Sequence, residues 1–131
     1  MISAYAKDIG VDLNLSVVYT VSEALEKTRA GLGDITVASI SKTPAIENEF
    51  NFGPKYFTVQ EQLICHNAMY KTKNIPKSKK DLVGLNIVVE KETSYEATMQ
   101  KLSQSIKGVE FSSTAEYSSQ ELLKLTNDRE V

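Results

Sequence analysis

Cysteine and histidine occur once each in this chain, at Cys65 and His66. A single thiol excludes an internal disulfide, and one imidazole cannot by itself build a tetrahedral metal site. No cofactor is expected for the same reason: the chain has no glycine loop that would cradle a phosphate and no spaced set of metal ligands. A Ser-His-Asp constellation is also missing, and the sequence gives no argument for paired acids of glycoside cleavage, so the chain reads as a binding module and not as an enzyme. Basic residues are in slight deficit, 15 against 17 acidic, for a net charge of -2. Phosphate neutralisation needs a concentrated basic surface, so nucleic acid is not the expected partner. The one basic cluster, Lys71, Lys73, Lys77, Lys79 and Lys80, lies in a polar connection and reads as a solvated surface. No stretch approaches the roughly 18 to 20 apolar residues that span a bilayer. Met1 opens directly into Ile2-Ser3-Ala4-Tyr5, with neither the charged nor the apolar region of a signal peptide.

What is present is the composition of an ordinary globular domain, 41% hydrophobic and 24% charged over 131 residues. Residues Ile2 to Ile9 read as a helix with Ile2, Tyr5 and Ile9 on one face, stopped by Gly10. Leu13 to Tyr19 alternates apolar and polar residues and is rich in valine, which predicts a strand. Ser22 is the expected cap of a following helix that ends at Gly31 and Gly33. Ile35 to Ile40 is a short apolar run of the kind found in a strand buried on both faces, and strand-helix-strand order implies a parallel pair. Gln62 to Cys65 reads as a further strand, with Cys65 buried and His66 at the strand end.

The same order recurs in the second half. Leu85 to Val89 is the expected strand, Ser94 to Ile106 a helix, Val109 to Ser112 a strand and Ser119 to Thr126 a helix. Two similar βαβ units suggest two similar lobes, residues 1–66 and 67–131, each cut inside its structure by the chain ends. Unpaired strand edges would follow, and with them a strand-paired or domain-swapped dimer.

Gly33-Asp34-Ile35-Thr36-Val37, then Ser41-Lys42-Thr43-Pro44-Ala45-Ile46, then Phe52-Gly53-Pro54-Lys55-Tyr56-Phe57 resemble family 3 of the bacterial extracellular solute-binding proteins in order and spacing. Val88-Val89-Glu90-Lys91-Glu92-Thr93-Ser94-Tyr95-Glu96 resembles that family's strand followed by Gly-Thr-Ser-Tyr-Glu at a helix start. The resemblance implies an α/β fold of two lobes, the type II periplasmic-binding architecture, here truncated at both ends. It also implies a small ligand bound outside the cytoplasm, in the periplasm, with membrane association of the parent protein as an expectation.

The ligand-binding residues follow from the same comparison. A helix that starts directly after a buried parallel strand aims free N–H groups into the crevice at the strand's carboxyl end, and Thr93 and Ser94 stand at such a point. In family members the positions of Ser41 and Thr43 offer a carbonyl and a hydroxyl to an amino-acid ligand. Two departures redirect the expectation. The arginine that pairs with a ligand carboxylate would align with Ile46, and Glu92 replaces the glycine before Thr93. Isoleucine cannot make a bidentate, charge-assisted pair. A carboxylate at Glu92 would favour a positive or hydroxyl-rich group. Free amino acids are therefore disfavoured, and a muropeptide sensed by a regulatory module beside a separate wall-lytic domain is the favoured ligand. The alternatives are the receptor of an amino-acid ABC transporter, the sensor domain of a membrane kinase or cyclase, and the effector domain of a LysR-like regulator.

Overall fold

The computed structural model describes residues 2–71 and 74–128. Lys73 of the basic cluster, Met1 and residues 129–131 at the chain ends fall outside the described residues.

Helix α1 (Ile2–Ile9) ends as its sequence dictates. Gly10 takes φ 70°, the Gly10 N–H donates to the Lys7 carbonyl and the Val11 N–H to that of Ala6, the paired bonds of a left-handed helix stop. Helix α2 (Val21–Arg29) stops in the same way at Gly31, φ 69°, with Gly31 and Leu32 N–H groups on the Thr28 and Lys27 carbonyls. Short helices α3 (Pro44–Glu47) and α4 (Asn67–Lys71) follow, then a 3₁₀ turn over Lys79–Leu82. Proline at the first position of α3 loses nothing there, because that N–H has no partner within the helix.

The second half is a βαβ unit. Strand β1 (Val88–Glu90), helix α5 (Ser94–Ser105) and strand β2 (Ser112–Thr114) are followed by helix α6 (Ser119–Asp128). The strands are parallel, with Val88, Val89 and Glu90 opposite Ser112, Ser113 and Thr114. Helices α5 and α6 both lie against β1. Beneath them Leu82, Ile87, Met99 and Val109 form the buried cluster, bordered by Leu85, Val89, Leu102, Ile106 and Phe111. Both strands begin about three residues later than the apolar runs predict. Leu85, Ile87 and Val109 owe their hydrophobicity to this cluster, which they enter before the ladder begins.

Three predicted strands are corrected. Residues 13–19, 35–40 and 62–65 carry no strand pairing, so the parallel pair expected in the first half is not formed. Leu15 is 69% exposed, Val17 78% and Tyr19 81%. Alternation marks a segment suited to a sheet, but a strand exists only where a neighbour accepts its hydrogen bonds. Cys65, expected in a core, is half-exposed in this extended region. His66 is no strand end: its Nδ1 accepts the N–H of Ala68, 3.0 Å away, at the start of α4. Tyr5 and Ile9 are likewise exposed, and α1 buries Ala6 instead.

Candidate functional site

The turn from β1 into α5 carries three of the five expected ligand residues. Backbone bonds fix it on one side, where the Lys91 N–H donates to the Thr114 carbonyl at 2.8 Å. Glu92 then adopts φ 61°. The left-handed region is open to glycine and costly to residues with a Cβ, which explains physically why the family pattern has glycine at this place. Glu92 is held there by two contacts: its N–H donates to the Glu96 carboxylate at 2.8 Å, and its Oε1 accepts from Arg29 Nη2 at 2.6 Å.

Thr93 occupies the cap position of α5, and Ser94 is the first helical residue. The Thr93 hydroxyl does not cap the helix; it donates back to the Glu90 carbonyl at 2.6 Å. The cap position thus lies one residue before Ser94, and Thr93 fills it only through its backbone, its carbonyl accepting the Ala97 N–H. Glu96, which the sequence alone suggests is a solvated helix carboxylate, reaches back across the turn to Glu92. The first N–H groups of α5 point away from the strand with the positive end of the helix dipole.

In the first half, Thr43 is buried and stands at the cap position of α3, where its carbonyl accepts from Ile46 and Glu47 N–H groups at 3.2 and 2.9 Å. Ser41 is half-buried beside it. Ile46, at the place of the family's arginine, is 1% exposed and is a core side chain. No hydrogen bond among the described residues joins Ser41 or Thr43 to Thr93 or Ser94. The link between the two segments is Arg29, which the sequence reading passed over. From the last turn of α2 it pairs through Nε with Glu49, just beyond α3, and through Nη2 with Glu92, both at 2.6 Å. Its guanidinium lies over the Phe50 ring, 5.4 Å from the centroid. The two carboxylates, Glu49 first and Glu92 second, hold the Arg29 pKa above its ordinary value.

A repeated signal for the helix starts was present in the sequence. Thr20-x-x-Glu23, Ser78-x-x-Asp81, Thr93-x-x-Glu96 and Ser118-x-x-Glu121 each place an acid three residues after a hydroxyl, the capping-box spacing. All four acids fold back onto the residue before the helix or its neighbour: Glu23 onto Tyr19, Asp81 onto Lys77 and Ser78, Glu96 onto Glu92, Glu121 onto Ser118. The Glu23, Asp81 and Glu121 pKa values are lowered, chiefly by those backbone N–H bonds. Thr20, not Ser22, caps α2, accepting from the Glu23 N–H at 3.2 Å.

Two shallow depressions lie elsewhere. One is lined by Gly84, Leu85, Ile87, Gly108 and Phe111, the other by Met69, Ile75, Lys77, Asp81 and Leu85. Both sit toward the N-terminal end of β1, whereas ligands of open α/β sheets bind beyond the carboxyl ends of the strands. They hold no expected ligand residue.

A parallel βαβ unit whose strand ends in a helix start fringed with hydroxyls and carboxylates belongs to the class of α/β small-ligand-binding domains. The chain is a member of the bacterial extracellular solute-binding proteins, family 3, which it matches over residues 1–128. It is 32% identical over 128 residues to the membrane-bound lytic murein transglycosylase F of Aeromonas hydrophila, covering 98% of this chain and 25% of that protein. The proteins of the same name from Aliivibrio fischeri and Pseudoalteromonas translucida are 28% and 26% identical, each over 98% of this chain and 26% of their own length. The chain thus spans about a quarter of the curated relatives it matches. No solved structure matches it. The matched region is a solute-binding domain, which agrees with a non-catalytic binding module. No helix among the described residues is long and apolar enough to cross a membrane.

Proposed function

We propose that this chain is the ligand-binding part of a periplasmic regulatory module in a membrane-bound lytic transglycosylase, and that it senses soluble fragments of the cell wall. The observation that carries the reading is the β1–α5 turn. Thr93, Ser94 and the strained Glu92 stand at the carboxyl end of a parallel strand and at a helix start, the position at which α/β crevices hold ligands. Residues 1–66 and 67–131 form the two lobes, and Ser41 and Thr43 face the ligand from the first. Closure draws its energy from contacts made only when both lobes touch the ligand.

The ligand class follows from the chemistry available. Ile46 is buried where an arginine would be needed, and Arg29, the guanidinium near the turn, is already engaged by two carboxylates. A free α-amino acid lacks its carboxylate partner, whereas a muropeptide presents hydroxyls, amides and an amine to Thr93, Ser94 and Glu92. Isothermal titration of the full-length protein with purified muropeptides and with a panel of amino acids tests the reading. Heat with muropeptides supports it; a response to amino acids alone would sink it. Extended apolar segments in the first half give a route to strand-paired dimers, which sedimentation over a concentration series measures.

A further inference from the structure

Glu90, the last residue of β1, is 5% exposed. Its Oε1 accepts the N–H of Val21 at 2.8 Å. Its Oε2 accepts both the N–H of Ser119, at 2.8 Å, and the Ser119 hydroxyl, at 2.6 Å. Val21 and Ser119 are the first residues of α2 and α6. One buried carboxylate thus receives the leading N–H groups of two helices that enter from opposite ends of the sequence. It forms no ion pair among the described residues. Its charge is met by N–H dipoles and a hydroxyl.

These contacts are not ordinary capping. Helix α2 has its own cap in Thr20, and α6 has Ser118 with Glu121. Glu90 lies 69 residues from Val21 and 29 from Ser119. Two converging helix starts beyond the end of a parallel strand make an environment that suits the acid group of a ligand, and here the chain supplies that group itself. The backbone that carries the side chain is anchored: the Glu90 carbonyl accepts the Thr93 hydroxyl, and the next residue, Lys91, is tied to Thr114.

We propose that Glu90 is a specificity-determining residue: its buried carboxylate, bonded to Val21 and Ser119, occupies from within the chain the acceptor position between α2 and α6, so that the crevice refuses acidic ligand groups there. A second carboxylate would meet like charge in a poorly solvated space and find the donors already used. Groups that reach the end of β1 are therefore neutral or cationic. The selectivity rests on the crevice lying at this strand end, as proposed above; the occupancy of the position does not.

The test is chemical rescue in the 131-residue chain. E90A leaves three donors without an acceptor and lowers the melting temperature by about 10 °C. Sodium acetate at constant ionic strength restores most of that loss in a saturable way, chloride does not, and the wild type is indifferent to both. If E90A is unfolded without acetate, refolding on its addition is read by far-UV circular dichroism. The near-isosteric E90Q fills the space but turns an NH₂ toward an N–H donor, so it loses stability and is not rescued. Acetate acting no better than chloride on E90A, or an E90Q as stable as the wild type, overturns the occupancy. For selectivity, the full-length protein is titrated with a muropeptide bearing a free C-terminal carboxylate and with its amide. Tighter binding of the amide is expected. A preference for the acid overturns the selectivity with the crevice intact, and binding of neither overturns both, while the acetate result stands on its own.

Discussion

Glu92 shows what one residue costs and what it is given in return. A side chain with a Cβ at φ 61° is unfavourable by about 1 kcal/mol relative to glycine in the same conformation. The offsetting contact is the Arg29 pair, partly exposed and so contributing about 0.5 kcal/mol. E92G is expected to be the more stable protein by roughly 0.5 kcal/mol, a rise of about 2 °C in melting temperature, with the gain larger in high salt, where the ion pair is screened. Scanning calorimetry at two salt concentrations measures both effects. Ile46 makes the opposite point. I46R restores the residue type that the family pattern places there, yet the side chain it replaces is 1% exposed. An unpaired guanidinium in that space is expected to cost about 4 kcal/mol, read from urea unfolding, and to confer no amino-acid binding by calorimetry.

At the scale of elements, helix starts are governed by short-range chemistry and were legible in the residues. Gly10 and Gly31 stop α1 and α2 where their sequence places them, because only the left-handed conformation lets the next N–H groups reach back to free carbonyls. The cap of α2 was displaced by two residues, Thr20 for Ser22, since two hydroxyls stand close together and the acid three residues after the first decides between them. Acids at this spacing set the pH response. Glu23, Asp81 and Glu121 titrate below the ordinary carboxylate range in the folded chain. A depressed folded pKa contributes stability that is complete above the unfolded pKa and is lost as pH falls through the folded value. Unfolding free energy is therefore expected to decline with acidification below about pH 4.5. The triple variant E23Q/D81N/E121Q keeps an acceptor oxygen at each position but not the charge, and is expected to flatten that slope in denaturant titrations at stepped pH. An unchanged slope would assign the acid response to other carboxylates.

At the scale of the molecule, order is unevenly distributed, and this is where sequence reading reaches its limit. The βαβ unit from β1 to β2 was legible because strand, helix and strand are contiguous and bury one cluster around Leu82, Ile87, Met99 and Val109. The strand expected at 13–19 was read from alternation and those at 35–40 and 62–65 from short apolar runs, yet pairing depends on a neighbour that the pattern within one segment does not specify. The candidate site divides in the same way. Thr93 and Ser94 were proposed from local order, whereas Arg29 and Glu90 join segments far apart in sequence and carry no local signal. Amide exchange should report this division directly. Amides of Val89, Met99 and Leu102 lie in hydrogen-bonded elements against the core and exchange only through cooperative opening, whereas those of Leu15, Val17, Val37 and Leu63 have no ladder to protect them. Protection of the first group is expected to exceed that of the second by a factor on the order of a thousand, corresponding to about 4 kcal/mol of opening free energy. Adding muropeptide to the full-length protein should then slow exchange at Glu92 to Glu96 more than at Met99 or Leu102, because the turn is where the ligand is proposed to stand. Uniform slowing across the whole βαβ unit would instead mean that the ligand stabilises the fold from another surface.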